Sequence, residues 1–469
     1  MKEFIADQSV SLQEMLDARE FRAAKQQMLI NQMKVPLVCF TLNIPGEYKV
    51  FPLSVRCFKE GKEAIELLLR EENLAITNYE ENNQKTGYEA YFSIDADADS
   101  IKKLLLPLEE NHRLGRLFDI DVISTEGALL KGVDFGRNER ECIICKKPVW
   151  VCARSRAHSS DELFSQVINI LKTYFTEQMA DSVAQEAVNA LITEVCISPK
   201  PGLVDRLDNG AHRDMDVFTF IKSGCALFSY FREVFLLSAN YVGAEDCLLE
   251  AMRFRGIIAE DTMFKKTDGV NTHKGAIFSL GLICASLGYL YAQDEDLTYK
   301  HVLEHCSILM QKKWHEFETT QADLTNGEKA YYQYGISGIR GEAEAGFASV
   351  SEYALPVLKK YLSKGYTVEQ AGVVALLHLI AHVEDTNIIS RSNINKFRAI
   401  QEDVRIALKN EEYAHLLEYA NNLNHYFITV GVSPGGCADL LAVTVFINSV
   451  FCTNGNFKVV DKQGLPIVK

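Results

Sequence analysis

The sequence lacks the features of a secreted or membrane protein. Its first ten residues, MKEFIADQSV, lack the apolar segment of a secretory signal peptide, so we expect a cytoplasmic location. The twelve cysteines are then expected to be reduced thiols. The most apolar stretch, residues 276–292, is interrupted by Ser279 and Ser286 and predicts a buried helix, so no membrane partner is expected.

Positive charge is also scarce. Lys and Arg number 49 against 63 Asp and Glu, which gives a net charge of -14. A chain with this balance does not suit a polyanion, so we expect no nucleic-acid partner. Hydrophobic residues at 47% and charged residues at 24% are values of a globular protein, and 469 residues are enough for two or three domains.

The hydrophobic pattern changes along the chain. Before about Asp161, strand-like alternation such as Tyr88 to Ile94 is mixed with helical segments, and afterwards the pattern is helical. We therefore predict an α+β domain over residues 1–175 and a larger all-α domain over residues 176–469. The helices predicted for the second domain are about Phe164 to Val195 (which crosses the boundary), Met215 to Leu237, Ala244 to Phe264, His273 to Ala292, Thr298 to Glu318, Ser349 to Leu362, Val368 to Val383, Asn393 to Lys409, Glu411 to Ile428 and Ala438 to Val450.

The first segment predicts a helix that carries cations. Ser11 and Glu14 form a capping box at its start. Arg19 and Arg22 then share one face, which fits a solvated surface or a phosphate clamp equally well. Lys49 follows a β-prone run and a turn.

Residues 117–123 predict a strand with an acidic face. Alternate residues of a strand share a face, so Asp119 and Asp121 stand side by side opposite the apolar positions. Two adjacent carboxylates repel each other unless a cation lies between them, which favours Mg²⁺ bound to nucleotide phosphates. Arg116 lies just upstream and can meet the same phosphates. An exposed strand face of an acidic protein is the equally weighted alternative.

Three cysteines and a histidine form a second cluster. Cys142, Cys145, Cys152 and His158 have the composition of a tetrahedral zinc site. Their spacing is not a common zinc-finger pattern, and two arginines lie between them. Buried thiols with a basic phosphate-binding turn are the preferred interpretation, and zinc is the alternative.

Three motifs of this half resemble the holo-acyl-carrier-protein synthase of citrate lyase. They are TLNIPGEYK (Thr41 to Lys49), GRLFDIDVI (Gly115 to Ile123) and CIICKKPVWVCARSRAHS (Cys142 to Ser159). The resemblance implies a nucleotidyltransferase-like domain that transfers phosphoribosyl-dephospho-CoA to a serine of the acyl carrier protein, the gamma subunit of citrate lyase. It also implies that pyrophosphate is released and that Asp119 and Asp121 bind the metal.

The stretch SPKPGLVDRLDNGAHRDMD, from Ser198 to Asp216, is the most functionally suggestive loop. Its prolines and glycine prevent a continuous helix, and it mixes cations, carboxylates and one histidine between apolar segments. This mixture suits a phosphorylated substrate held with a divalent metal, whereas the alternative is a solvated connection. The candidate residues are Lys200, Asp205, Arg206, His212, Asp214 and Asp216.

Polar clusters recur at the predicted helix ends. A helix N-terminus near Lys274 is a natural phosphate seat, although the segment is not a Walker loop. Asp385 follows the C-terminus of an apolar helix, where the helix dipole disfavours a carboxylate. We therefore expect Asp385 to have a role outside that helix. His378 and His382 on that helix are interpreted as structural. The nucleotide-binding candidates in these clusters are Asn271, His273, Lys274, Arg340, Glu342, Asp385, Asn387, Ser433, Gly435 and Gly436.

These clusters resemble the triphosphoribosyl-dephospho-CoA synthases of citrate lyase and malonate decarboxylase. Cys437 replaces the serine usual after the paired glycines. The resemblance implies that ATP and dephospho-CoA are joined with release of adenine, and the order of the two halves is that of a fused bifunctional transferase. The matching motifs are the Ser198–Asp216 loop, DGVNTHKGAIFSLG, IRGEAEAGF, EDTNIISR and VSPGGCADLLA.

Ribosyl transfer requires an acid and a base at the ribose and cations at the triphosphate. We assign the cations to Lys200, Arg206 and Lys274. If a helix begins at Ala211, His212 and Asp216 share a face and can act together, with Asp214 and Asp216 as metal ligands.

Three alternatives stay open. A helical hydrolase of ribosyl bonds would release adenine without dephospho-CoA. A non-catalytic assembly subunit would bind the lyase without turning over ATP. The equivalent maturation system of malonate decarboxylase would use the same chemistry on another carrier protein.

Overall fold

The computed structural model describes residues 9–293, 297–311, 335–391, 394–451 and 457. The chain divides into two compact units, Met1–Phe175 and Thr176–Val468. The first mixes helices with one sheet, and the second is helical. The α+β then all-α prediction is therefore confirmed at the level of secondary structure.

The first unit is built on an antiparallel sheet. Its strands lie in the order β2-β3-β1-β4-β5, so β1 is central between β3 and β4. The strands are β1 (Leu37–Leu42), β2 (Ile76–Gln84), β3 (Gly87–Ile94), β4 (Phe118–Ile123) and β5 (Leu129–Leu130). The helices are α1 (Leu12–Met33), α2 (Pro52–Glu71), α3 (Ala98–Asn111) and α4 (Val149–Ser155).

The two faces of this sheet bury different residues. Phe40 and Ile120 belong to the larger core, in which side chains of α2 and α3 also lie. Cys39 and Tyr91, on the opposite face, pack with Leu29 of α1. The predicted capping box of α1 is present, with Ser11 and Glu14 exchanging hydrogen bonds. Asp119 and Asp121 therefore stand on the α1 side of the sheet.

Helix α5 (Ser160–Cys196) runs through the boundary between the units. Val167 to Phe175 contributes apolar residues to the core of the first unit. Met179 to Leu191 contributes to the core of the second.

The second unit consists of helices around one large core. Three apolar helices, α9, α13 and α17, have most of their residues buried in it. By length and composition α9 could cross a membrane, but most of it is buried inside the unit. The described helices are α6 (Val217–Ala226), α7 (Phe228–Ala239), α8 (Leu248–Lys266), α9 (Lys274–Gln293), α10 (Tyr299–Gln311), α11 (Gly338–Glu344), α12 (Leu355–Ser363), α13 (Val368–His382), α14 (Thr386–Arg391), α15 (Ile394–Ala407), α16 (Tyr413–Val430) and α17 (Gly435–Val450).

Several boundaries differ from the prediction. The helix predicted from Met215 to Leu237 is two helices that meet at Leu227. The polar break expected at Arg340 is the short helix α11, and a π-helical turn precedes α12. The predicted helix from Thr298 is seen as α10, and its remainder lies outside the described residues.

Candidate active sites

A cavity of about 160 Å³ in the first unit brings together three predicted residues. Arg19 of α1, Lys49 and Asp119 of β4 all line it. Lys49 Nζ donates to Ile44 O at 2.5 Å, and burial, followed by the charge of Arg19, lowers the pKa of Lys49. With Arg22, which also lines it, the cavity thus brings three cations and a carboxylate together beside the end of β1.

The acidic pair has the predicted placement. Strand pairing sets Asp119 opposite Thr41 and Asp121 opposite Cys39. Burial, and then the charge of Asp119, raises the pKa of the Asp121 carboxyl. The basic stripe of α1 faces the same side of the sheet, since Arg22 Nε lies 2.6 Å from Glu89 Oε1 on β3.

An arginine absent from the sequence-based candidates also reaches this pair. Arg140 Nη1 lies 3.5 Å from Asp119 Oδ1, and Arg140 is paired with the buried Glu109 as well. Arg137 Nη1 lies 3.0 Å from the other oxygen of Glu109. Arg116, which we predicted to meet phosphate, donates instead to the backbone oxygen of Glu141. Neither Arg137 nor Arg140 lies in a motif that sequence reasoning singled out for phosphate.

The two carboxylates fit a divalent cation. They are neighbours on one strand face, and the pKa of Asp121 is raised by burial and then by the charge of Asp119, both of which a bound cation would offset. Asp119 and Asp121 are therefore the residues that would hold Mg²⁺, which would neutralise phosphate charge in this cavity.

In the second unit, the Ser198–Asp216 loop is held by its own polar residues. Lys200 is buried, and its Nζ lies 2.5 Å from Glu194 Oε1 of α5. Asp205 accepts hydrogen bonds from the backbone N–H groups of Lys200, Leu207 and Asp208. Both side chains therefore have partners within the protein, and their nucleotide-binding roles stay predictions.

The rest of this loop also departs from the prediction. No helix begins at Ala211; α6 starts at Val217 with Asp216 as its N-cap, accepting from Thr219 N at 2.8 Å. His212 Nε2 lies 2.9 Å from Ser433 Oγ. The shared His212–Asp216 face does not form, and Asp216 acts as a cap.

The metal pair predicted in this loop, Asp214 and Asp216, stays a prediction. Asp214 is largely exposed, with its carboxylate 4.0 Å from His212 Nδ1. Within the described ranges, none of the four aspartates predicted to bind metal belongs to a group of three or more converging metal-ligand atoms, and this holds for Asp119 and Asp121 as well as for Asp214 and Asp216. Arg206 is also exposed, and it pairs with Glu369 at 2.6 Å.

Side chains of the protein accept hydrogen bonds from backbone N–H groups at the start of α9, where phosphate binding was predicted. Asn271 Oδ1 accepts from Lys274 N at 3.3 Å, and the carboxylate of Asp439 accepts from the backbone of Ala276. Lys274 Nζ lies 2.9 Å from Glu260. Two N–H groups of this N-terminus, those of Lys274 and Ala276, thus already have side-chain acceptors, and phosphate binding here stays a prediction.

His273, just before α9, is buried. Its Nδ1 lies 2.8 Å from Ser223 Oγ, while Nε2 has no hydrogen-bond partner among the described residues. Burial, and then the nearby charge of Lys200, lowers the pKa of His273 to about 3. The ring is therefore neutral near pH 7.

Asp385 lies where the start of α17 meets the start of α14. It accepts from Asn387 N at 2.8 Å and from Cys437 N at 2.9 Å, so it caps two helices. This explains an acid at the end of α13, because its carboxylate serves the next helix. A Cβ at Gly436 would lie 3.0 Å from Asp385 Oδ2, and one at Gly435 would lie 2.8 Å from Asn387 Nδ2. The paired glycines thus permit these contacts.

Four carboxyl groups share raised pKa values in this unit. Burial raises the pKa of Asp385, Glu194 and Glu342, the last of which accepts from Ser349 Oγ. Burial, followed by the charges of Glu194 and Asp385, raises the pKa of Asp439 well above its usual range. The charges of Asp385, Glu342 and Asp439 also act on Cys437. We call Glu194, Glu342, Asp385 and Asp439 the carboxyl cluster.

Sequence reasoning missed two of its members. Glu194 lies in a long helix without a polar motif, so no local signal marks it. Asp439 is the fifth residue of α17, inside the quoted VSPGGCADLLA motif, and an acid following paired glycines was the available signal. Arg340 lies on α11 beside Glu342. Groups with perturbed pKa values that gather in one place are typical of catalytic sites.

Two family models match the chain in succession. Residues 10–174 match a family described as apo-citrate lyase phosphoribosyl-dephospho-CoA transferase. Residues 180–456 match a family described as ATP:dephospho-CoA triphosphoribosyl transferase.

Curated relatives have the same arrangement. Protein CitXG of Haemophilus influenzae is 34% identical over 454 residues, which cover 94% of this chain and 96% of that protein. Protein CitXG of Leuconostoc mesenteroides is 31% identical over 464 residues, covering 95% and 98%. A probable 2-(5''-triphosphoribosyl)-3'-dephosphocoenzyme-A synthase of Vibrio cholerae is 40% identical over 274 residues, covering 56% of this chain and 87% of its own. With both regions present in one chain and in this order, the protein belongs to the CitXG family.

Proposed function

We propose that this bifunctional transferase makes the prosthetic group of citrate lyase and attaches it. The second unit would join ATP and dephospho-CoA into triphosphoribosyl-dephospho-CoA and release adenine. The first would transfer phosphoribosyl-dephospho-CoA to a serine of the acyl carrier protein, the gamma subunit, and release pyrophosphate. Similarity to CitXG proteins over the whole chain is the observation that carries this proposal.

In the second unit, the carboxyl cluster supports the ribosyl transfer. A ribose hydroxyl of dephospho-CoA attacks C1 of the ATP ribose as the bond from C1 to adenine breaks. One carboxylate accepts the hydroxyl proton, and a carboxyl that stays protonated near pH 7 donates a proton to adenine. We assign proton donation to Asp439, whose pKa lies well above its usual range, and proton acceptance to Glu194 or Asp385.

Cations at the edge of this unit are proposed to bind the triphosphate. Arg206 and Lys274 are about half exposed and pair with Glu369 and Glu260. Exposed pairs are weak, so a triphosphate can displace these acids with little loss. Lys200 remains paired with Glu194, and its positive charge offsets one negative charge of the carboxyl cluster.

In the first unit, the cavity supports a nucleotidyltransferase-type reaction. Arg19 and Lys49 are placed to bind the phosphates of the intermediate, and Asp119 lines the same cavity. The carrier serine attacks the phosphorus that joins the group to pyrophosphate, the bond to pyrophosphate breaks, and the serine proton leaves to a carboxylate or water. A divalent cation on Asp119 and Asp121 would stabilise the charge of the departing pyrophosphate.

The test is mass spectrometry of apo carrier protein incubated with this chain, ATP, Mg²⁺ and dephospho-CoA. We expect the carrier mass to increase by one phosphoribosyl-dephospho-CoA group, with one adenine released per intermediate made. Adenine release that does not require dephospho-CoA would instead identify a ribosyl hydrolase. Carrier binding without any ATP turnover would identify an assembly subunit.

A further inference from the structure

Cys142, Cys145, Cys152 and His158 converge on one point. Each offers one ligand atom, and the four atoms all lie within 4.8 Å of one another. Across the described ranges, this is the only such group of three or more potential ligands. A zinc ion with ligands at about 2.0 to 2.3 Å separates them by about 4 Å, so the group is close to the required size.

The first two ligands lie on a tight backbone turn. Cys142 N donates to Lys147 O at 2.7 Å, and Lys146 N donates to Cys142 O at 3.1 Å. Lys146 has a φ of 61°, and an antiparallel bridge between Glu141 and Pro148 closes the turn. This turn places the thiols of Cys142 and Cys145, which are separated by two residues in the sequence, on the same side of the backbone.

The other two ligands come from α4 and its exit. Cys152 lies in α4, and its Sγ is 3.3 Å from Cys145 Sγ. The helix ends at Arg156 with a φ of 48°, and the chain turns back to His158. His158 Nε2 is buried and has no hydrogen-bond partner among the described residues.

Apolar packing does not explain this convergence. Ile144, Val149 and Trp150 are 37%, 43% and 48% exposed, so the large side chains of the segment cover little core. Three thiols and an imidazole that converge among such exposed apolar side chains have the geometry of a ligand set rather than of a core. The convergence favours zinc, the alternative from the sequence, over buried thiols with a basic phosphate-binding turn.

We propose that Cys142, Cys145, Cys152 and His158 bind one structural Zn²⁺. Four protein ligands close the coordination sphere and leave no position for substrate, which is typical of a structural site. Binding would fix residues 141–158 as one folded segment. Arg140, just before that segment, would then be held beside Asp119.

Metal analysis of the full chain, purified without chelators, tests the proposal. We expect one zinc per chain in the wild type and in Cys247→Ser, a change at an exposed cysteine outside the cluster. Cys145→Ser should lose the zinc. A folded wild type without stoichiometric zinc, or a Cys145→Ser protein that retains it, would overturn the site.

Cobalt substitution covers the case in which Cys145→Ser does not fold. Wild-type protein produced with Co²⁺ should show the intense visible bands of tetrahedral cobalt and thiolate-to-cobalt charge transfer. His158→Cys should keep four ligands and shift those bands. Absence of the bands in the folded wild type, or a disulfide between Cys145 and Cys152 found by mass spectrometry, would contradict the proposal.

Discussion

Lys200 Nζ lies 2.5 Å from Glu194 Oε1, and the two side chains are only 1% and 5% exposed. The loop that carries Lys200 is thereby fixed to helix α5. A buried pair of this kind has little effect on stability while it is intact, but removing one partner leaves an unpaired buried charge.

Lys200→Met should therefore destabilise the second unit by about 3 to 5 kcal/mol. Urea unfolding followed by fluorescence measures the loss. Lys265→Met is the matched control, because Lys265 pairs with Asp261 on an exposed helix face and should change stability far less. Equal small losses in both variants would contradict the buried pair.

The second prediction concerns acid stability. Burial lowers the pKa of His273 to about 3 from 6.5. Between these values the unfolded chain binds a proton at His273 and the folded chain does not, so stability falls as the pH drops. The loss should approach about 1.4 kcal/mol per pH unit from this group.

His273→Gln should reduce that slope below pH 6.5, whereas His425→Gln, at an exposed position, should leave it unchanged. Urea unfolding at a series of pH values measures both. An unchanged slope in folded His273→Gln would show that His273 is not the group responsible.

Asp121→Asn should raise the stability of the first unit and lower its activity. The pKa of Asp121 is raised, so the folded state disfavours its charge at pH 7 and the neutral amide should raise the thermal midpoint. Loading of the carrier protein should fall by about 100-fold or more. Asp134→Asn, an exposed acid in the same unit, is the control. Normal loading by folded Asp119→Asn and Asp121→Asn would refute their role.

The fourth prediction uses two helical glycines. A Cβ at Gly275 would overlap Asp439 Oδ2, whereas one at Gly256 has its nearest neighbour at 3.9 Å. Gly275→Ala should displace Asp439 and lower the rate of adenine release by about 100-fold. Gly256→Ala should keep the rate and stabilise α8 slightly. Similar rates for both would exclude Asp439 from the reaction.

Asp216→Asn distinguishes a cap from a catalyst. Asparagine caps helices as well as aspartate does, so adenine release should stay close to the wild-type rate. Asp216→Ala should lower the stability of the second unit without a specific loss of turnover. A folded Asp216→Asn protein that no longer releases adenine would restore the catalytic role predicted from the sequence.

The sequence predicted best where periodicity is strong. Strand β4 alternates apolar and acidic residues, so both its core face and the Asp119–Asp121 face could be predicted. Helices α9, α13 and α17 are mostly apolar, and their predicted bounds agree with the observed ones to within three residues. The break at Leu227 carries no proline or glycine, and tertiary packing places it.

The candidate sites were harder to predict, because long-range pairing decides which charges are available. Lys200 and Arg206 look alike in the sequence, yet one is buried against Glu194 and the other is exposed beside Glu369. Glu194 itself lies in a helix without a motif. Charge, burial and partner are properties of the folded chain, so spacing alone could not assign them.

Helix α5 contributes apolar residues to the cores of both units, so dividing the gene within this helix damages at least one of them. A fragment that ends at Phe175 would place core residues in a fraying last turn, while one that begins at Thr176 would lose its N-cap. Cutting at Ser159, which caps the helix with Glu162, would remove Phe175 from the first core. Separate expression of the halves therefore requires both fragments to encode an overlapping stretch of this helix.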